Sequence, residues 1–218
     1  MGKITIISSE QKLLLSEFAV DPFLSANFYF SGGTALSLYY LNHRISVDLD
    51  FFSEQEFDSQ TILTKLNLLK NKYHFKIEYV PAEETQVYIL TFPKQNAVKV
   101  DFAFYPYKRL EPLIVKDGVK VDSLFDIAAN KLLMTEQRAE VKDFVDLYFL
   151  LKRFTIWDLI GGVQKKFGIK TDPLVIASSF LKVESFEYLP KMILPLTLDE
   201  LKDYFRNLAK KIGGKLVK

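Results

Sequence analysis

The sequence predicts an α+β protein in which a mixed α/β half, residues 1–122, precedes a helical half, residues 123–218. Helix-like and strand-like segments alternate up to residue 122, whereas only helix-like segments follow Ser123. A hydrophobic fraction of 49% and an aromatic fraction of 14% are enough for a substantial core in a chain of 218 residues. We therefore expect one large domain or two small ones.

The first half begins with alternating helix-like and strand-like segments. Ser9 and Asp58 are predicted helix caps, because short polar side chains accept hydrogen bonds from the free N–H groups at a helix start. The predicted segments are a helix over 9–19, a strand over 28–30, a helix over 33–42, a strand over 47–52 and a helix over 58–73.

Three strand-like segments complete the first half, and Pro81 and Pro93 end two of them. A polar turn at Lys116, Asp117 and Gly118 is predicted to separate this half from the next. The strands are predicted over 74–80, 86–92 and 96–105, and the later helices over 123–134, 141–153, 156–168, 173–181 and 198–211.

Composition excludes several kinds of site. The chain has no cysteine, which rules out disulfides and thiolate metal sites and fits a reducing cytoplasm. With two histidines in the whole chain, any metal is expected to be held by carboxylate oxygens. The polar N-terminus argues against a signal peptide, and no apolar run approaches the length of a membrane span. The sequence therefore predicts a cytoplasmic protein without a membrane partner.

Two aspartates stand one residue apart in the strand predicted over 47–52. Side chains at positions i and i+2 of a strand share a face, so Asp48 and Asp50 point the same way. Such a pair can share one hard cation, or two cations about 4 Å apart. The alternative is an edge strand whose acidic residues face water.

A third aspartate lies in a strand with an otherwise apolar pattern. Asp101 shares its predicted face with Lys99. Because a buried carboxylate without a partner is costly, Asp101 needs either a cation or a metal. Beside Asp48 and Asp50 it would complete an oxygen cluster suited to Mg²⁺. In the alternative interpretation, Lys99 neutralises Asp101.

A glycine turn, Gly32-Gly33-Thr34, is predicted where a strand meets a helix. Glycines there allow positive φ and close backbone approach, and the helix N-terminus offers N–H groups to a phosphate. Thr34 adds a hydroxyl as cap or phosphate donor. The segment lacks the Walker and dinucleotide-binding patterns, so neither of those sites is predicted.

Two segments of the helical half carry charges in apolar surroundings. Lys131 lies among alanines and leucines, which indicates either a snorkelling side chain or a phosphate ligand. In the helix from residue 141, Asp143 and Asp146 lie off an apolar stripe. The alternative there is a solvated face with a Lys142–Asp146 pair.

The chain resembles the AbiEii/AbiGii toxin family of nucleotidyltransferases, part of the DNA polymerase beta-like superfamily. Two blocks carry the resemblance: FSGGTALSLYYLNHRISVDLDFF, and later DIAANKLLM followed by RAEVKDFVDLYFLL. The resemblance implies a small mixed sheet flanked by helices and a helical C-terminal domain that closes a nucleotide cleft. It also implies Mg²⁺-dependent transfer of a nucleotide from an NTP, with Mn²⁺ as a possible substitute.

The resemblance also assigns roles to individual residues. Gly32, Gly33 and Thr34 match the phosphate turn, and Asp48 and Asp50 match the metal pair. Arg44 and Lys131 match residues that contact the phosphates. Asp146 matches a candidate base or third carboxylate, and Asp143 competes with it for that role. Asp101 stands at the position of the third-strand aspartate, where it would be a metal ligand or the base. Gly33 stands where the wider superfamily usually has serine, so Thr34 is expected to supply the hydroxyl.

The partners that the resemblance implies are an NTP, an RNA acceptor and an antitoxin protein. Some relatives act on the 3′ end of tRNA, which makes tRNA the leading acceptor. Two alternatives stay open: a catalytically silent fold that binds nucleotide or protein, and transfer to a protein hydroxyl.

Overall fold

The computed structural model describes residues 6–82 and 84–216, which divide into two compact units. Unit 1 comprises the described residues up to Tyr40 and those of 46–108 and 112–122. Unit 2 comprises residues 41–45, 109–111 and the described residues from Ser123 onward. A single boundary at residue 122 was predicted, whereas the short segments 41–45 and 109–111, which precede that residue, belong to unit 2.

A mixed β-sheet forms the centre of unit 1. Its strands are β1 (Tyr29–Ser31), β2 (Asp48–Ser53), β3 (Lys76–Val80), β4 (Thr85–Thr91), β5 (Ala97–Phe104), β6 (Ile114–Lys116) and β7 (Val119–Val121). Within the described residues they form one seven-stranded sheet in the order β3-β4-β5-β2-β1-β7-β6. β2 pairs parallel with β5 and antiparallel with β1, and β1 pairs parallel with β7. The predicted mixed sheet with helices is confirmed.

The apolar face of the two central strands packs into the core. Leu49 and Phe51 of β2 are buried beside Val100 and Phe102 of β5, as their alternation with polar residues predicts. The rings of Phe51 and Phe102 stack with centroids 5.5 Å apart. This packing leaves the opposite face of both strands for polar side chains.

Four helices and a π-helical segment belong to the described part of the chain before β3. They are α1 (Ser9–Val20), α2 (Pro22–Asn27), α3 (Gly32–Leu36), the π-helix Ser37–Leu41 and α4 (Ser59–Tyr73). Asp58 caps α4 as predicted, accepting hydrogen bonds from the N–H groups of Gln60 and Thr61. The cap of α1 is Ser8 rather than Ser9, because Ser8 and Gln11 form a reciprocal capping box.

The polar turn predicted at residues 116–118 is the tip of a hairpin between β6 and β7. Asp117 and Gly118 have φ of 51° and 80°, the positive values that a tight two-residue hairpin turn requires. The turn therefore does not separate sheet from helices: β7 returns to pair with β1 and extends the sheet.

Unit 2 is helical in its described part. Its elements are α5 (Leu124–Gln137), α6 (Val141–Leu150), α7 (Ile156–Phe167), α8 (Pro173–Phe180), a 3₁₀ turn (Leu181–Ser185) and α9 (Leu198–Leu216). Phe205 of α9 contacts the rings of Phe144 and Phe180 at centroid distances of 5.1 and 5.0 Å. Among the helices described, none is long and apolar enough to cross a membrane.

Candidate active site

Three aspartates and one lysine share the polar face of β2 and β5 in unit 1. The parallel register places Asp48 beside Lys99 and Asp50 beside Asp101. We call these four side chains the carboxylate face. The strand alternation predicted this placement, since Leu49 and Val100 turn to the core on the other side. Asp48 and Asp50 are half-buried, so the edge-strand alternative is wrong: β2 lies in the middle of the sheet.

Lys99 neutralises Asp101, as one of the two sequence interpretations allowed. The ammonium nitrogen of Lys99 lies 2.5 Å from Oδ2 of Asp101, two residues further along β5. Burial lowers the pKa of Lys99, but the hydrogen bond to Asp101 and the charges of Asp101, Asp48 and Asp50 outweigh it and raise that pKa. Lys99 is therefore a permanent cation on the carboxylate face at neutral pH.

Gly32 makes the closest approach of the glycine turn to the carboxylate face. Its φ is +72°, and a Cβ atom built on it would lie 2.0 Å from Oδ2 of Asp50. The space of the missing side chain is thus taken by the carboxylate. The predicted glycine requirement has two physical causes here, a left-handed backbone and the approach of Asp50.

Thr34 is buried and its hydroxyl donates a hydrogen bond to the backbone carbonyl of Asp48. The sequence predicted that this hydroxyl would serve as a helix cap or phosphate donor. In the structure the hydroxyl proton is used in the hydrogen bond to the Asp48 carbonyl, at the first residue of β2. Thr34 therefore ties the turn to the strand that carries Asp48 and Asp50.

Asp122 is a buried carboxylate that sequence analysis missed. Its Oδ2 accepts a hydrogen bond of 2.8 Å from the hydroxyl of Ser31, the residue before the glycine turn. The hydroxyl of Tyr40 donates to the carbonyl of Asp122 at 2.6 Å. The available signal was an acidic residue directly after an apolar strand. Asp122 holds both ends of the α3–π-helix segment.

The donors of the carboxylate face fit a hard divalent cation. Asp48 and Asp50 offer oxygen atoms, the ligands that Mg²⁺ prefers. Over residues 6–82 and 84–216, no three acidic or imidazole side chains are arranged to hold an ion together. This agrees with Asp101 being held by Lys99. Mg²⁺ sites built from one or two carboxylates, with waters and substrate phosphates as other ligands, are common.

We predict that Gly32→Ala destabilises the protein more than Gly168→Ala does. Gly168 has a similar φ of +69°, but nothing lies within 4 Å of an added Cβ atom there. Both variants incur the left-handed penalty of about 1–2 kcal/mol, and only Gly32→Ala also displaces Asp50. Urea denaturation measures both; equal losses of stability would contradict the close approach of Asp50.

A second charged cluster lies in unit 2, built from the segment 41–45 and helices α5 and α6. The guanidinium of Arg44 donates two hydrogen bonds to the carboxylate of Asp146, of 2.6 and 2.8 Å. Lys131 bridges Asp143 and Asp146 at 2.8 and 2.7 Å. His43 and Arg138 complete the cluster, at 2.7 Å from Asp146 and Asp143 respectively. We call these six side chains the buried charge network.

The backbone explains why Arg44 reaches this cluster. Residues 43–45 lie beside residues 191–193, with hydrogen bonds from Ile45 N to the Lys191 carbonyl and from Ile193 N to the His43 carbonyl, both 2.8 Å. The segment is thereby fixed against unit 2 as a short antiparallel bridge. Residues 191–193 are nearly 150 positions from residues 43–45 in the sequence, so no local sequence pattern predicts this pairing.

The aspartates of α6 do not face solvent. Asp143 and Asp146 are both 0% exposed, and the alternative of a solvated face is wrong. Burial alone would raise the pKa of Asp146, but the charges of Lys131 and Arg44 and the hydrogen bonds from Arg44 and His43 hold it well below its usual value. A carboxylate stabilised in this way is a weak proton acceptor. This geometry favours a positioning role for Asp146 over the general-base role.

The predicted site residues thus fall into two groups. Unit 1 brings together Gly32, Gly33, Thr34, Asp48, Asp50 and Asp101, and unit 2 brings together Arg44, Lys131, Asp143 and Asp146. Sequence analysis did not assign roles to Asp122, His43 or Arg138. The available signal for His43 was its position next to Arg44, and for Arg138 its place at the start of the RAEVKDFVDLYFLL block.

Comparison with known proteins provides independent findings on the family. Residues 13–214 match the model of the family described as nucleotidyl transferase AbiEii toxin, type IV TA system. The uncharacterized protein aq_aa25 of Aquifex aeolicus (strain VF5) is 32% identical over 214 residues, covering 94% of this chain and 96% of that protein.

Solved structures share the fold. A putative nucleotidyltransferase from H. pylori aligns with a TM-score of 0.60 and 20% identity, over 94% of this chain and 92% of its own. JHP933 from Helicobacter pylori aligns with a TM-score of 0.58 and 21% identity, over 96% of this chain and 94% of its own. The nucleotidyltransferase toxin MenT4 from Mycobacterium tuberculosis H37Rv aligns with a TM-score of 0.56 and 14% identity, over 92% of this chain and 82% of its own.

Proposed function

Because the chain belongs to the AbiEii family of nucleotidyltransferase toxins of type IV toxin–antitoxin systems, we propose that it transfers a nucleotide from an NTP to RNA. The leading acceptor is the 3′ end of tRNA, and the proposed reaction depends on Mg²⁺. The observation that carries this proposal is the carboxylate face, with Asp48 and Asp50 on the strand beside the Gly32 turn. The family implies a nucleotide substrate and an antitoxin partner, and we propose that they meet this protein in the cytoplasm.

Asp48 and Asp50 are the proposed ligands of Mg²⁺, with Mn²⁺ as a possible substitute. A bound divalent ion would neutralise charge on the phosphates of the NTP. The sheet holds the two carboxylates without relying on a mobile loop: β2 is flanked by β1 and β5, and Thr34 fixes its first residue. Fixed ligands lower the cost of organising the site around a substrate.

Phosphate contacts are proposed for the glycine turn and for the buried charge network. Without a side chain, the Gly32 and Gly33 backbone can approach a phosphate closely. Arg44, Lys131 and Arg138 carry three positive charges against the two negative charges of Asp143 and Asp146. The ammonium of Lys131 has three N–H donors, and the two aspartates accept from two of them, which leaves a donor for a phosphate oxygen.

Asp101 is the proposed acceptor of the proton from the attacking hydroxyl. It lies on the same face as the metal pair, beside Asp50 in the register, and its side chain is 12% exposed. Asp143 and Asp146 are each held by at least two cations in unit 2, which weakens them as bases more than the one ammonium group of Lys99 weakens Asp101. The proposal therefore gives them the task of positioning Lys131 and Arg44.

Incubation of the protein with each of the four ³²P-labelled NTPs, Mg²⁺ and total tRNA tests the proposal. Labelled tRNA is the expected result, and chelation of the metal should abolish labelling. Labelled protein in place of tRNA would instead support transfer to a protein hydroxyl. No transfer to any acceptor, together with retained NTP binding, would support the catalytically silent alternative.

A further inference from the structure

Lys99 occupies one corner of the carboxylate face, beside Asp48 in the register and two residues from Asp101 on β5. Neighbouring strands are about 4.8 Å apart, and residues two apart along a strand are separated by roughly 6–7 Å. The register Asp48–Lys99 and Asp50–Asp101 therefore places the four side chains at the corners of a compact rectangle. Three corners are carboxylates and the fourth is an ammonium group.

The charges on this rectangle match one divalent ion. Three carboxylates and one ammonium group leave two net negative charges, which a single divalent cation neutralises. The ammonium already lies 2.5 Å from Asp101 Oδ2, so a metal bound to that oxygen would face a like charge at close range. Asp50 is directed instead toward Gly32, with its Oδ2 in the space of the missing Cβ atom.

We propose that Lys99 is a built-in cation that takes the place of a second metal ion at Asp101, so that the carboxylate face binds a single divalent ion on Asp48 and Asp50. The inference rests on the proposed function, because it assumes that the pair binds metal. It makes Lys99 a positioning residue that acts through Asp101, which extends the Lys99–Asp101 pair that the sequence offered as one interpretation.

Titration of the purified protein with Mn²⁺ alone, followed by electron paramagnetic resonance of the free ion, tests this stoichiometry. We expect one bound Mn²⁺ in the wild type and two in Lys99→Met, because the variant frees Asp101 as a ligand. Lys76→Met is the matched control, since Lys76 is an exposed lysine of β3 in the same sheet, and should bind one ion. A wild-type stoichiometry other than one, or an unchanged stoichiometry in Lys99→Met, would overturn the proposal.

Two further variants separate this proposal from the proposed function. Asp101→Asn should keep the single ion. Loss of the ion in this variant would make Asp101 a metal ligand, which would overturn the role of Lys99 without overturning the metal dependence of the proposed function. An Asp48→Asn, Asp50→Asn variant should bind no ion; retained binding would place the metal elsewhere and overturn the metal assignment itself. Circular dichroism and the urea midpoint of each variant identify any that fail to fold.

Discussion

Replacement of both Asp48 and Asp50 by asparagine is expected to lower the rate of nucleotide transfer on the order of 10³-fold. A metal ion contributes several kcal/mol of charge stabilisation in the transition state, and each 1.4 kcal/mol corresponds to a factor of ten in rate. Asparagine keeps the shape of aspartate and removes the negative charge. Transfer of radiolabel from the NTP to the acceptor under saturating Mg²⁺ measures the effect.

Glu78→Gln is the matched control for this variant. Glu78 is an exposed carboxylate on β3 of the same sheet, away from the register partners of β2. Its substitution should leave the transfer rate within about twofold of the wild type and the stability within ±0.5 kcal/mol. If the double aspartate variant transferred nucleotide at the wild-type rate, Asp48 and Asp50 would not be the metal ligands.

Asp146→Ala is expected to lower the free energy of unfolding by about 3–5 kcal/mol, the cost of removing one partner from a buried ion pair. The substitution leaves Arg44 and Lys131, whose side chains are 4% and 8% exposed, without the carboxylate that both contact. Urea denaturation monitored by circular dichroism measures the change. Against a typical total stability of 5–15 kcal/mol, the loss would be large.

The control for this variant is Asp199→Ala, which removes an exposed aspartate from the first turn of α9. It should cost no more than about 1 kcal/mol. Acid titration gives a second check: the folded-state pKa of Asp146 lies below its unfolded value, so its stabilisation is complete above the unfolded pKa of about 3.9 and is lost as the pH falls through the folded pKa. Asp146→Ala should therefore lose less stability on acidification than the wild type. Equal acid sensitivity would contradict the network.

The part of the site that the sequence predicted is the part that depends on local periodicity. Strand alternation is enough to put Asp48 and Asp50 on one face and Leu49 in the core. Two consecutive glycines between a strand and a helix are enough to indicate a turn with unusual backbone geometry. These features need only a few neighbouring residues, and the structure contains them.

The parts that sequence analysis missed depend on distant pairing. A helix with Asp143 and Asp146 off its apolar stripe has the usual pattern of a surface helix. Their burial is offset by Lys131, which contacts both carboxylates, and by Arg44, which reaches Asp146 from a distant part of the chain. The hydrogen bond from Ser31 to Asp122 joins residues 91 apart. The π-helical turn at Ser37–Leu41 lies inside the segment that the sequence predicted as one continuous helix over 33–42.

The parallel pairing of β1 with β7, next to the hydrogen bond between Ser31 and Asp122, has a consequence for the protein during translation. Ser31, the residue before the glycine turn, is synthesised 91 residues before Asp122, the carboxylate to which it donates a hydrogen bond. At elongation rates of about 5–20 residues per second, this interval lasts roughly 5–18 s. A nascent chain therefore carries β2, the strand of Asp48 and Asp50, for several seconds while β1 still lacks its parallel partner. The seven-stranded sheet can therefore form only after this interval, once β7 has been synthesised.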